Sequence, residues 1–343
     1  QVCSALINVD DSENLSDELL QKQDYLKELC DKFCDDDTNY SFQFYADVIE
    51  VIEENIFRVL PPPQVEKEQV NFGPGFDKYI SNGDPNMVVL SVVYELLYSF
   101  VEFIKNSLYG ETLIDDIFVE KLFGLLQSED ESERSFVVKI LKSIYTYLGS
   151  RNKKIFTLTY QSLIDAIDHK NVVQCNVSSV LELLLFIICN RCSDRLYDSK
   201  SLFRVLISLH RLPYLFHYYI ELFSCCLMLL ERYPINITWF TKDILLIYNQ
   251  HPKGNESCPQ ASTKRILCLI ELKFILDLLK RLVDQAPSDP IKDHWTAAFS
   301  TLVKPLVDFC VPNLKSKQLT LVTWSLRLLS CPEYRPFFKK HPD

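Results

Sequence analysis

Apolar residues in this chain recur at spacings of three and four almost from end to end. From Phe136 they fall at Ile140, Ile144 and Tyr147, with Val137, Leu141 and Leu148 beside them. That spacing lays one wide apolar face along a helix. Just upstream, Ser128-Glu-Asp-Glu131 has the Ser-x-x-Glu form of a capping box, which predicts a helix N-terminus capped by Ser128. The run Val180–Ile188 is apolar on nearly every side, interrupted only by Glu182. A helix of that kind has to be buried between neighbours, so it is expected among the most enclosed segments.

The connections carry a longer period. Short polar turns fall near Ser128, Lys170, Leu212, Ser257 and Lys315, at intervals of 42, 42, 45 and 58 residues, and each interval has room for two amphipathic helices. About 40–47 residues per helix pair is the period of HEAT and armadillo arrays, in which stacked pairs share one continuous core. The last interval predicts longer helices or an insertion around Ala286–Ile291. Two stretches fall outside the pattern: an acidic turn at Asp35–Asp37, and Pro61–Pro85, which reads as an exposed loop because proline stops the preceding helix near Leu60. The expectation is an all-α protein, a HEAT-like helical-repeat solenoid (an α-α superhelix) spanning residues 1–343 as a single domain.

Composition narrows the function classes. Only 7 of 343 residues are glycine, which counts against phosphate-cradling loops and nucleotide-binding βα turns. The net charge of −10 argues against a nucleic-acid surface, which needs clustered Lys and Arg to displace counterions. No apolar stretch reaches the ~18 residues of a membrane span. The 12 cysteines are scattered, several of them inside apolar helical runs (Cys225, Cys226, Cys268). There they act as small hydrophobes and suit a reducing compartment, the cytoplasm or the nucleus. The chain opens on Gln1 rather than methionine and reads as a piece of a longer protein.

Candidate chemistry is sparse. Cys189-Asn-Arg-Cys192 could be half a zinc site or a redox pair, but no second pair lies at a matching spacing. Cys189 to Arg195 also has the Cys-x5-Arg skeleton of a cysteine phosphatase loop. It lacks the glycines that would aim backbone amides at an oxyanion, and Cys226 to Arg232 repeats the skeleton inside a helix. The six histidines are dispersed, and His210 and His217 flank the turn at Pro213, where satisfied or solvent-facing roles fit best. No catalytic residue, metal ligand or cofactor is expected, and the chain is not read as an enzyme.

Specific strings add what periodicity cannot. Asn55-Ile-Phe-Arg-Val-Leu-Pro-Pro62 is followed by Ile114-Asp, Phe118-Val119 and Leu126-Gln-Ser-Glu-Asp-Glu-Ser-Glu-Arg-Ser-Phe136. Then come Ile144-Tyr145, Val180-Leu-Glu-Leu183 with Ile187-Ile188, and Glu271-Leu with Ile275-Leu-Asp277. This ordered set resembles the B-prime regulatory subunit family of protein phosphatase 2A, from about Tyr40 to Leu329, with the chain stopping before the family's last helices. The resemblance implies a non-catalytic subunit that docks on a phosphatase scaffold subunit, contacts the catalytic subunit and recruits substrate proteins carrying short linear motifs.

It also implies a groove for Leu-x-x-Ile-x-Glu peptides. Its apolar floor would fall on Tyr145, Leu181, Leu183 and Ile187, and its basic wall on Lys142 and Arg151. Where the family has an adjacent His-Arg pair, this chain has Lys142-Ser143, and neither side chain can make arginine's planar two-point contact with a carboxylate. Beyond Ile187 the matching loop diverges, with Arg191 and Arg195 as substitutes. The competing reading is a helical-repeat adaptor or trafficking scaffold without phosphatase partners.

Overall fold

The computed structural model describes residues 24–31, 33, 40–60, 87–105, 109–168, 176–190, 198–212, 215–249 and 259–334. The expected turns at Asp35–Asp37, Lys170 and Ser257, the loop at Pro61–Pro85, and Cys192, Arg191 and Arg195 lie outside those residues. The described residues are helical, with no strand among them. The chain divides into two compact units, Gln1–Asn190 and Arg191–Asp343.

The first unit contains α1 (residues 24–31), α2 (Phe42–Ile56), α3 (Met87–Ile104), the single turn α4 (Gly110–Leu113), α5 (Asp116–Gly124), α6 (Glu131–Tyr147), α7 (Asn152–Asp168) and α8 (Val177–Cys189). Helix α3 packs on α2 and α6, α7 packs on α5 and α8, and α6 packs on α8. Contact between helices close in chain order is how stacked helix pairs share a core. Val180, Leu181, Leu183, Leu184 and Ile187 of α8 are fully buried, as the all-round apolar run requires.

Helix α6 departs from the expected cap and from the expected face. Its N-cap is Asp130, whose carboxylate accepts from the Ser132 and Glu133 amides. Ser128 sits two residues earlier, and its hydroxyl accepts from the Asp130 amide. The reason is a short 3-10 turn at Leu125–Gln127, which keeps Ser128 and Glu129 outside the helix. Tyr147, counted on the apolar face, points outward, with the Lys105 ammonium 5.3 Å from its ring centre. The buried face takes in Ser143 and Glu133 instead.

The second unit contains α9 (Ser199–Leu209), α10 (Tyr219–Arg232), α11 (Ile237–Asn249), α12 (Pro259–Asp284), α13 (Asp289–Asn313) and α14 (Leu319–Ser330). Here α9 packs on α10 and α11, α10 on α12, α11 on α12 and α13, and α12 on α13 and α14. The described turns at Ser128, Leu212 and Lys315 fall where the sequence placed them, and each interval holds two helices. The long final interval comes from helix length, since α12 and α13 run 26 and 25 residues with only four residues between them. No helix among the described residues is long and apolar enough to cross a membrane.

Candidate functional site

The residues assigned to the peptide groove lie on two helices in contact. Lys142 and Tyr145 are on α6; Leu181, Leu183 and Ile187 are on α8. The apolar members are closed off from solvent: Tyr145 is 1% exposed and Leu181, Leu183 and Ile187 are 0% exposed. Tyr145 meets the half-buried Phe186 edge to face at 5.9 Å between ring centres. All four are core side chains of the first unit.

The polar members are engaged as well. Lys142 Nζ donates to Glu182 Oε1 at 2.6 Å, and its ammonium lies 5.8 Å from the Phe186 ring centre. Arg151 lies in the 3-10 turn after α6 and reaches away from α8 to the α4–α5 corner. Its Nε donates to Ile114 O at 2.8 Å, its Nη2 to Glu111 O at 2.5 Å and its Nη1 to Asp116 Oδ1 at 2.8 Å. The structure thus brings Lys142 together with the α8 residues and directs Arg151 to a different corner.

Ser143, at the position of the family's arginine, has a neighbour that local sequence does not reveal. Its buried hydroxyl donates to Glu102 Oε1 at 3.0 Å. Glu102 also receives hydrogen bonds from Tyr98 and Tyr147 and helps raise both phenol pKa values; burial is the larger cause at Tyr98, the Glu102 hydrogen bond at Tyr147. A carboxylate occupies the place where the basic wall was expected.

Two of the strings that carry the resemblance, Asn55–Pro62 and Leu126–Phe136, meet in space. Arg58, in the segment leaving α2, makes a bidentate pair with the fully buried Glu133 of α6, at 2.6 and 2.9 Å. Tyr94 of α3 donates to the same carboxylate at 2.5 Å, and burial together with that carboxylate raises its pKa well above the phenol range. One residue on, Arg134 Nη1 donates to Ser128 O at 2.7 Å. The charged residues of these strings therefore tie α2, α3 and α6 together. Periodicity reads charged residues as solvent-facing, and so it missed them.

Three of the described cysteines are poor nucleophiles. Burial raises the thiols of Cys226, Cys268 and Cys310, that of Cys310 to about 12, so they stay protonated. Cys189 is exposed at the end of α8. A second constellation, invisible in the sequence because its members are dispersed, gathers His210, Cys226 and Glu271 inside the second unit.

Comparison with known proteins places this arrangement. Residues 1–294 match the family described as protein phosphatase 2A regulatory B subunit (B56 family). The chain is 30% identical over 241 residues to the mouse serine/threonine-protein phosphatase 2A 56 kDa regulatory subunit beta isoform, covering 69% of this chain and 45% of the mouse protein. It is 30% identical over 254 residues to the regulatory subunit pptr-1 of Caenorhabditis elegans, covering 70% of this chain and 43% of that one. A third relative, the Saccharomyces cerevisiae 56 kDa regulatory subunit delta isoform, is 28% identical over 269 residues, 76% of this chain and 33% of the yeast protein. The chain thus spans less than half the length of these relatives. The family is one of regulatory rather than catalytic subunits, and its HEAT-like helical repeat is the fold described above. A match over most of the chain, on a helical stack of that kind, shows that this protein belongs to the B56 family of protein phosphatase 2A regulatory subunits.

Proposed function

We propose that the protein serves as a non-catalytic regulatory subunit of a protein phosphatase 2A holoenzyme, binding the scaffold and catalytic subunits and bringing substrate proteins to them. The family match over residues 1–294 carries this reading. Stacked helix pairs supply extended surfaces for such assembly without any chemistry of their own. Buried free thiols at Cys226, Cys268 and Cys310 fit work in a reducing compartment, the cytoplasm or nucleus.

Substrates are recruited through short motifs at the α6–α8 face, where Lys142 and Phe186 are the members a peptide reaches first. Tyr145, Leu181, Leu183 and Ile187 form the base beneath them. With Arg151 bound to the α4–α5 corner and Glu102 beside Ser143, this face holds a motif glutamate through Lys142 alone.

The test is co-purification. The tagged chain, expressed in cells, is expected to retain the phosphatase scaffold and catalytic subunits in stoichiometric amounts. Failure to do so, beside a beta-isoform control that succeeds, would leave a helical-repeat adaptor without phosphatase partners.

A further inference from the structure

The second unit encloses a cluster that the regulatory role does not use. His210 ends α9, Cys226 lies within α10 and Glu271 within α12; none is more than 1% exposed. A histidine nitrogen, the thiol sulfur and a carboxylate oxygen all lie within 4.8 Å of one another.

The polar atoms of the cluster are only partly satisfied. His210 Nδ1 is 2.9 Å from Leu206 O, and a carbonyl can only accept, so Nδ1 carries a proton. Nε2 lies 3.2 Å from Glu271 Oε2, a contact that an imidazolium makes as an ion pair and that a metal ion can bridge when the ring is neutral. The other carboxylate oxygen, Oε1, is buried with no hydrogen-bond partner. The buried Tyr248 hydroxyl also has no partner, and its ring stands edge-on to His210 at 6.4 Å. Leaving a buried carboxylate oxygen unsatisfied is costly.

The geometry points to a transition-metal site, zinc by preference, in which His210 Nε2, Cys226 Sγ and a carboxylate oxygen of Glu271 supply three ligands and a water the fourth. Thiolate, imidazole and carboxylate are the zinc donor set, whereas calcium and magnesium need shells of oxygen. Zinc bonds of about 2.0–2.3 Å hold their ligand atoms about 3–4 Å apart, within a small side-chain rotation of the present positions. A histidine whose Nδ1–H is held by a backbone carbonyl is oriented as metal-bound histidines commonly are. On binding, the Cys226 thiol gives up its proton to solvent. The dication, one thiolate and one carboxylate then sum to zero charge, which suits a buried place. The ion would pin α9, α10 and α12 to one another.

The test uses the full chain, stripped of metal and titrated with Co2+, then with Zn2+ as competitor. One Co2+ per chain is expected, with visible d–d bands and a thiolate-to-cobalt absorption that Zn2+ abolishes. The signal should survive Cys189→Ala, which removes an exposed thiol, and disappear in Cys226→Ala. A zinc X-ray absorption spectrum of the wild type, expected to show one sulfur with nitrogen and oxygen neighbours, decides the matter if Cys226→Ala does not fold. Absence of the thiolate band in wild type, its loss in Cys189→Ala, its persistence in Cys226→Ala, or a sulfur-free zinc shell would each overturn the site.

Discussion

Glu133 is a charged residue one position in from the exposed start of α6, yet it is fully buried because Arg58 and Tyr94 surround its carboxylate. Breaking a buried pair by removing one partner costs more than the pair contributes, since the remaining charge loses its compensation. Arg58 retains some solvent contact, its side chain being 23% exposed, so the penalty falls below that of a sealed pair. Glu133→Ala is expected to lower unfolding free energy by about 2–3 kcal/mol in urea titration, and Glu133→Gln by less because one acceptor oxygen remains. Asp198 belongs to the same scale. The Ser201 hydroxyl, then the Ser201 backbone amide, hold its carboxyl below the usual carboxylate range at the start of α9. A depressed folded-state pKa stabilises fully above the unfolded value of about 3.9 and loses that contribution as pH falls through the folded value. Asp198→Asn, still able to cap, should therefore lose less stability than wild type between neutral and strongly acidic pH, as urea midpoints at the two pH values will show.

The helices themselves follow from apolar spacing, but their ends are set by local hydrogen bonds. The Ser-x-x-Glu string suggested a cap at Ser128, whereas the carboxylate of Asp130 does that work. Asp130→Ala should cost about 1 kcal/mol, the usual loss for an N-cap, measured by thermal unfolding of the two proteins side by side. The α6–α8 face gives a second expectation at this scale. Lys142 is held by Glu182, so a motif glutamate has to displace that partner. An exposed pair of this kind is worth about 0.2–1 kcal/mol. Glu182→Ala should then tighten a Leu-x-x-Ile-x-Glu peptide by up to about fivefold in calorimetric titration, while Lys142→Glu should abolish binding. Ser143→Arg alone should gain little, because Glu102 stands ready to pair with the new guanidinium; adding Glu102→Gln should release it.

Across the whole molecule, charge and repeat period are the properties that matter. A net charge of −10 opposes the phosphate backbone, and no counterion release compensates for it. Duplex DNA and structured RNA should not be retained by the protein even at about 50 mM salt, where phosphate binding is strongest; a salt-sensitive shift in a gel assay would contradict this. Each unit packs its helices on close neighbours in chain order. That regularity is why turns at Ser128, Leu212 and Lys315 could be placed from spacing alone.

The sequence by itself determined the all-helical class, the spacing of the described turns, the enclosure of α8 and, through an ordered set of short strings, the family. These are set by periodic burial and by local words, both written in neighbouring residues. Tertiary structure alone decided which charged residues go inside. Arg58 and Glu133 are 75 positions apart and His210 and Glu271 are 61 apart, and no local pattern tells a charge that will find a buried partner from one that will face water. It also decided where the groove residues point: Arg151 has the right type and position for a basic wall, but three acceptors at the α4–α5 corner outbid that role. A side chain's environment is made by the elements that pack around it, and the sequence near that side chain does not contain them.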